Sequence, residues 1–452
     1  RAVSETFRDK LKRLRKENDG AAPVEAAPAL PEWWRARMAR RDAHSRESDG
    51  TDGAREAQAR SHNTAQPSIE APRDVDAHTN AAGAFAARTT SWADSFTHGA
   101  VALASIDAAQ RDTFALLTGD AATAELDPRA AVYLDIETTG LSGGAGTKAF
   151  LVGLGRFVGP RFELWQGFLR EPDEERALLA ECAERIRASC GVISFFGKSF
   201  DRHRLEDKMR VHGVRAPFDE RPHLDLYHPC RRLFAAALPD ARLATMERAL
   251  CGVEREHDLP GSFAPAAWYD FLAGRPHLLE HVFRHNRDDV LSLVALFARL
   301  GRARDGASEG CADLGTQHLR MEWSRSAGFA AVLARAKRWD ECALWAERAA
   351  LSAPSATALI AALERAGDAW RRAGNVMSAR TAWTRIADDR RDAAAARACY
   401  ELARSGAGEV WYERAAHLAE TNAGSPDMQR VLSGCRRARA SKAAVSSPAV
   451  KA

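Results

Sequence analysis

The sequence predicts an α/β domain, a sheet flanked by helices, followed by an all-α region of repeated helices. The apolar run AVYLDIETTG (Ala131–Gly140) reads as a buried strand. VISFFGKSFD (Val192–Asp201) reads as a second strand that gives way to the helical pattern RHRLEDKMRVHG. Beyond about Gly310 the chain turns alanine-rich and helical.

In the first strand Ala131, Val132, Tyr133, Leu134 and Ile136 supply the apolar side chains, and the period of two sends Asp135 and Glu137 to the same side. Two carboxylates buried together repel one another and are costly to desolvate, so a divalent cation beside them is one reading. A solvated edge strand with an incidental Asp-x-Glu pair accounts for this segment equally well. Further acids downstream decide between the two.

The next stretch, GLSGGAGTKAF (Gly140–Phe150), is glycine-rich, but it lacks the GxxxxGK[ST] spacing and no helical pattern follows Lys148, which excludes a phosphate loop. KAFLVGLGRF and RFELWQGFLR read instead as two strands turning at Val158, Gly159 and Pro160, so a three-strand meander begins at the first acid. Gly197 interrupts the second apolar run and leaves Asp201 at a strand-to-helix junction. HNRDDV (His285–Val290) falls in a long amphipathic helix with an inward stripe of Leu279, Val282, Phe283, Asn286, Val290, Leu293, Val294 and Phe297. His285 and Asp289, four residues apart, are neighbours on one flank of that stripe.

With these motifs in this order the chain resembles the DEDD, or DnaQ-like, 3′→5′ exonuclease superfamily of ribonuclease-H-like fold. Within it, GKSFD, HLDLYHPCRRLF, LATMERALCGVER, DLPG and HNRDDVLSL are similar to the YprB-type RNase H-like domain family, over about Arg129 to Leu300. The resemblance implies a mixed five-stranded sheet flanked by helices, with Asp135, Glu137, Asp201 and Asp289 as ligands of two Mg²⁺ or Mn²⁺ ions. Hydrolysis of a phosphodiester needs a strong nucleophile and neutralisation of charge on the attacking and leaving oxygens, which two ions roughly 3.5–4 Å apart supply. Carboxylates suit such hard cations.

His285 then stands where the superfamily has a general base or a water-orienting residue, a role that an imidazole titrating near neutrality can fill. The gap of four to Asp289 is that of the Tyr subgroup, so His285 takes the Tyr position; a surface histidine pairing with Asp289 is the alternative. Asp288 competes as fourth ligand, but the motif order favours Asp289 and makes Asp288 a solvated neighbour. Many relatives carry Asn before the Gly of the second motif, where this chain has Phe196. A phenyl ring offers no side-chain hydrogen bond, so Phe196 either stacks on substrate or belongs to the core. Thr138, Lys198, Arg231 and Arg232 are the remaining candidates for substrate contact, the cations through phosphates, with solvated surface positions as the alternative. Asp225 is either a carboxylate behind the ligands or the cap of the next helix.

The 452 residues suffice for two or three folded units, and 46% hydrophobic content is ordinary for globular proteins. A net charge of +4 requires any nucleic-acid affinity to come from a local basic surface. Eight cysteines without a CxxC suggest neither a zinc site nor a disulfide framework and fit a reducing cytoplasm. No apolar run approaches the ~20 residues that span a bilayer, and the charged amino end lacks the apolar core of a secretory signal, so no membrane contact is expected.

Residues 1–100 read as a largely disordered region with short helices, including the aromatic pair Trp33 and Trp34. Residues 101–303 form the ribonuclease-H-like domain, 311–435 a helical domain and 436–452 a disordered tail. WDECALWAERAA, SARTAWTRIADD and EVWYERAAHLAE recur at roughly the 34-residue period of tetratricopeptide repeats, with Trp339, Trp345, Trp370, Trp383 and Trp411 filling seams between alanines. An irregular helical bundle fits nearly as well. The expected function is a metal-dependent 3′→5′ exonuclease on single-stranded DNA or RNA, with a possible protein partner on the helical repeats. The alternative is a non-catalytic nucleic-acid-binding scaffold.

Overall fold

The computed structural model of the chain describes residues 72–140, 146–255, 259–305, 315–388 and 390–446. The expectations for residues before 72, Trp33 and Trp34 included, lie outside the described residues. The strands are β1 (Asp76–Asn80), β2 (Gly83–Ala93), β3 (Thr97–His98), β4 (Val101–Ala102), β5 (Val132–Thr138), β6 (Ala149–Val158), β7 (Arg161–Phe168), β8 (Val192–Ser194) and β9 (His223–Asp225). The first eight helices are α1 (Arg111–Thr118), α2 (Ala122–Glu125), α3 (Glu175–Arg187), α4 (Asp201–Val211), α5 (Tyr227–Phe234), α6 (Leu243–Cys251), α7 (Ala264–Leu272) and α8 (Leu279–Gly301).

A mixed sheet with helices on both faces is as expected, in the order β1-β2-β7-β6-β5-β8-β9. β5, β6 and β7 form the antiparallel meander, whereas β8 runs parallel to β5 and β9 parallel to β8. The sheet has seven strands rather than five, because the β1–β2 hairpin adds to the free edge of β7, from Ala86 opposite Phe168 to Ala93 opposite Arg161. Residues 76–93, placed in the disordered region by their polar, alanine-rich composition, are therefore part of the sheet. Only Phe85, Ala86 and Ala87 of β2 are buried, which leaves little alternation to read.

β5 sits between β6 and β8, so the solvated-edge reading of Asp135 and Glu137 does not hold. Helix α8 lies across the β5–β6 face that carries them. It approaches closely because β6 has no side chain at Gly153: a Cβ there would sit 2.4 Å from Asn286 Oδ1. On the other face Leu178 of α3 fills the space left by Gly167 of β7.

Seven further helices follow among the described residues: α9 (Gly315–Arg335), α10 (Trp339–Leu351), α11 (Ala356–Arg372), α12 (Val376–Ala387), α13 (Ala393–Arg404), α14 (Val410–Thr421) and α15 (Pro426–Ser446). α15 runs through much of the segment expected as a disordered tail. Ser355, Asn375 and Asp392 cap α11, α12 and α13 by accepting from backbone N–H groups three residues on. Trp345 and Trp383 are buried as expected, while Trp339, Trp370 and Trp411 are half-buried. The apolar core is continuous across the expected boundary near residue 310: one cluster contains Phe114, Leu233 and Phe297 together with Phe329, Leu333 and Trp345. A Cβ on Gly328 of α9 would lie 2.5 Å from the Arg232 carbonyl of α5, which shows how tightly the two helices meet. No helix among the described residues is long and apolar enough to cross a membrane.

Candidate active site

Three elements deliver the expected acids to one cleft. β5 supplies Asp135 and Glu137, the first residue of α4 is Asp201, and α8 supplies His285 and Asp289. His285 Nε2 lies 3.6 Å from Asp289 Oδ2 and 3.9 Å from Glu137 Oε1. Burial raises the Asp135 carboxyl well above the usual carboxylate range, and the charges of Asp289 and Asp201 push the same way. Asp201 is raised in turn, by burial first and then by Asp225, Glu137 and Asp289. Burial beside like charges thus raises Asp135 and Asp201 together.

Asn286 fixes Asp135. Its amide nitrogen donates to Asp135 Oδ2 at 2.7 Å and to the Asp135 carbonyl at 3.2 Å, while its oxygen accepts from Gln166 Nε2 at 2.9 Å. Fully buried, it serves as a strut between α8 and the sheet, a task that its place on the apolar stripe does not reveal. A bulge between Glu137 and Thr138 ends the regular pairing of β5 with β6. The buried Thr138 hydroxyl then donates to the Gly140 carbonyl at 3.2 Å and shapes the turn.

The loop between β8 and α4 is held by Asp225, whose carboxylate accepts from the backbone N–H groups of Phe196 at 2.7 Å, Lys198 at 3.1 Å and Tyr227 at 3.0 Å. It thus both starts the next helix and braces the loop in front of Asp201. Phe196 adopts φ +60°, a strained conformation for a bulky residue, and its ring is 45% exposed, edge-on to Tyr227 at 4.9 Å. Phe196 is therefore not core. Gly197 packs so closely that a Cβ would lie 2.8 Å from Asp201 Oδ2.

Arg255, 8% exposed, is the residue that sequence reasoning missed. Its guanidinium donates to both oxygens of Glu247 at 2.6 and 2.7 Å, to Asp289 Oδ1, and to His285 Nδ1 at 3.3 Å. Glu247 also accepts from Ser292, whose hydroxyl is 2.8 Å from His98 Nε2. The available signal was Glu247 and Arg255 among the four charges that LATMERALCGVER sets between apolar residues.

The remaining candidates scatter. Lys198 is exposed on the braced loop and Arg231 is exposed on α5. Arg232 turns the other way: its guanidinium donates to the Leu117 carbonyl at the end of α1, and burial lowers its pKa. Asp288 is paired with Arg287 at 2.7 Å rather than simply solvated, and burial raises its carboxyl.

The donor set, carboxylate oxygens with one imidazole, suits a hard divalent cation. Among the described residues no three His, Cys, Asp or Glu side chains are already gathered tightly enough to coordinate one ion. What fits such an ion is the donor chemistry and the burial of Asp135 and Asp201 beside like charges.

Residues 132–301 match a family described as RNase_H superfamily. The chain is also 34% identical over 172 residues to "Uncharacterized protein YprB" of Bacillus subtilis (strain 168), a match covering 38% of this chain and 41% of that protein. The chain thus spans less than half the length of this curated relative.

Proposed function

We propose that the ribonuclease-H-like domain is a metal-dependent nuclease, a 3′→5′ exonuclease that hydrolyses phosphodiester bonds of single-stranded DNA or RNA. The observation that carries the reading is the convergence of Asp135, Glu137, Asp201 and Asp289 from three elements, with Asp135 and Asp201 raised by burial and by the neighbouring carboxylates. The match of residues 132–301 to the RNase_H superfamily supports the reaction class. These four acids would hold Mg²⁺ or Mn²⁺. Two such ions supply neutralisation of the charge on the attacking and leaving oxygens.

The chain's own groups do the rest. Arginine only donates, so the contact of Arg255 with His285 Nδ1 makes that nitrogen the acceptor and leaves the neutral ring's proton on Nε2, facing Glu137 and Asp289. That tautomer supports His285 as a group that orients water by donating to it, in preference to a general base. The exposed Phe196 ring, presented by a strained backbone, supports stacking of an unpaired base beside the acids. Lys198 and Arg231, both exposed, are the candidates for phosphate contact, and Thr138 contributes through the turn it shapes.

One observation favours the second reading, a nucleic-acid-binding scaffold without catalysis: Arg255 already neutralises Asp289. The helices α9–α15 support a tetratricopeptide-like partner module, since α10, α12 and α14 begin at Trp339, Val376 and Val410, near the 34-residue repeat.

The test is Asp135→Ala, which should abolish hydrolysis by the purified chain while far-ultraviolet circular dichroism stays unchanged. A folded variant that cleaves at near wild-type rate removes the catalytic reading.

A further inference from the structure

Beneath the start of β5 the sheet holds a second hollow. The first residues of β5, the later part of β6 and the last turn of α3 border a half-open hollow of about 460 Å³. Val132, Leu154 and Arg156 line it from the face opposite Asp135 and Glu137, while Ala131 and Phe157 border it at the strand ends, so the hollow lies at that end of the sheet and chiefly on the opposite face. Glu137 lies five residues further along β5, roughly 17 Å of strand. The two sites do not merge.

The cavity wall carries Arg129, Arg156, Arg185, Arg187 and Arg221, and among the described residues no Asp or Glu lines it. Carboxylates do reach some of these cations from outside. Arg129 pairs with Asp107 at 2.7 Å and Asp94 at 3.1 Å, and Arg187 pairs with Glu184. Arg185 Nε is 2.8 Å from Glu181 but too poorly aligned for a hydrogen bond. Two of the five, Arg185 and Arg187, also complement the dipole at the end of α3. That role asks nothing of Arg156 and Arg221, which come from β6 and from the loop before β9. Arg156 approaches Glu163 only at 3.6 Å, and Arg221 donates to the Arg187 carbonyl at 3.0 Å.

Five guanidinium groups round a hollow without acids, Arg221 with no carboxylate partner among the described residues and Arg156 with only the loose pair to Glu163, suit bidentate capture of an oxyanion. The volume falls within the roughly 300–1,000 Å³ of small-molecule sites, and the nearly buried Val132, Leu154 and Phe157 close it on the side of the core. We propose that this cavity binds an organic phosphate of mononucleotide size, held chiefly by Arg156 and Arg221. The phosphate is that of a free nucleotide or of a strand end. The inference does not rest on the nuclease reading, since the site shares no residue with the acid cleft.

The experiment is calorimetry on the full chain in chelator, titrating AMP and, separately, a 5′-phosphorylated oligothymidylate. AMP should bind, the double variant Arg156→Gln/Arg221→Gln should weaken it at least tenfold, and Asp135→Asn should leave it unchanged. Arginine-dependent binding of the oligonucleotide alone assigns the site to a strand end. Absence of binding by either probe, equal affinity in the double variant, or loss through Asp135→Asn instead overturns the proposal. Should the double variant fail to fold, the exposed Arg221→Ala, checked by its melting curve, must reproduce the loss.

Discussion

At Asp289 two demands meet on one carboxylate: Oδ1 is held by Arg255, while Oδ2 faces His285 at 3.6 Å. If Oδ2 is a ligand and His285 an orienting donor, the two residues fail differently. His285→Ala should slow cleavage by about 10²–10⁴-fold with metal binding largely intact. Asp289→Ala should weaken metal binding itself, and Asp288→Ala, with its partner Arg287, should do little. Calorimetric metal titrations paired with cleavage rates check all three; an Asp288 variant that loses metal while Asp289→Ala keeps it would move the ligand by one residue. Behind Arg255, burial first and then Arg255 and Arg287 depress His98 from 6.5 to about 4. The folded chain then binds fewer protons than the unfolded chain between those values. The His98 contribution is full above about pH 6.5 and is lost as pH falls toward about 4. Unfolding free energies from urea titrations of wild type and His98→Gln should diverge in favour of the variant by up to about 3 kcal/mol as pH falls through that window, and a pH-independent difference would contradict the assignment. Asp135 with Glu137, and His285 with Asp289, were legible as neighbours because strand period and helix spacing place them by arithmetic, while their proposed roles and that of Asp201 came from the resemblance of the motifs. Arg255 was not, because its role arises where α6, α8 and the loop after α6 meet, and no local period records such a meeting.

Among the elements, α8 does most to build the site. Asn286 binds both Asp135 and Gln166 above Gly153, so the helix that carries His285 and Asp289 is keyed to the strand that carries the other acids. The long apolar period of α8 and the meander β5–β7 were readable for the reason that regular burial writes a regular pattern. The β1–β2 hairpin was not, since an edge hairpin with three buried residues in β2 leaves almost no such pattern. Helix α9 was legible as helix, whereas the core that it shares with the α/β domain was not. Its Phe329 and Leu333 belong to the same core cluster as Leu233 of α5, and cutting there exposes apolar surface on both parts. A chain ending at Gly310 should therefore lose its cooperative melting transition or aggregate; a truncated protein that melts within a few degrees of the full chain would show that the core closes without α9.

Over the whole molecule, one sheet carries the acid cleft on one face and the arginine-lined cavity chiefly on the other, and the helices α9–α15 extend from the core that supports both. The overall α/β-then-α order followed from the sequence because composition changes sharply near residue 310, whereas the shared core across that point depends on contacts between distant residues. The central claim is that the four carboxylates serve phosphodiester hydrolysis. It is tested most directly by a time course of the full chain on 5′-labelled single-stranded DNA and RNA with Mn²⁺, run with and without chelator. Progressive shortening from the 3′ end of at least one substrate, abolished by chelator, is the predicted result. Binding of the strand with no cleavage under any metal condition would contradict it and leave the scaffold reading in its place.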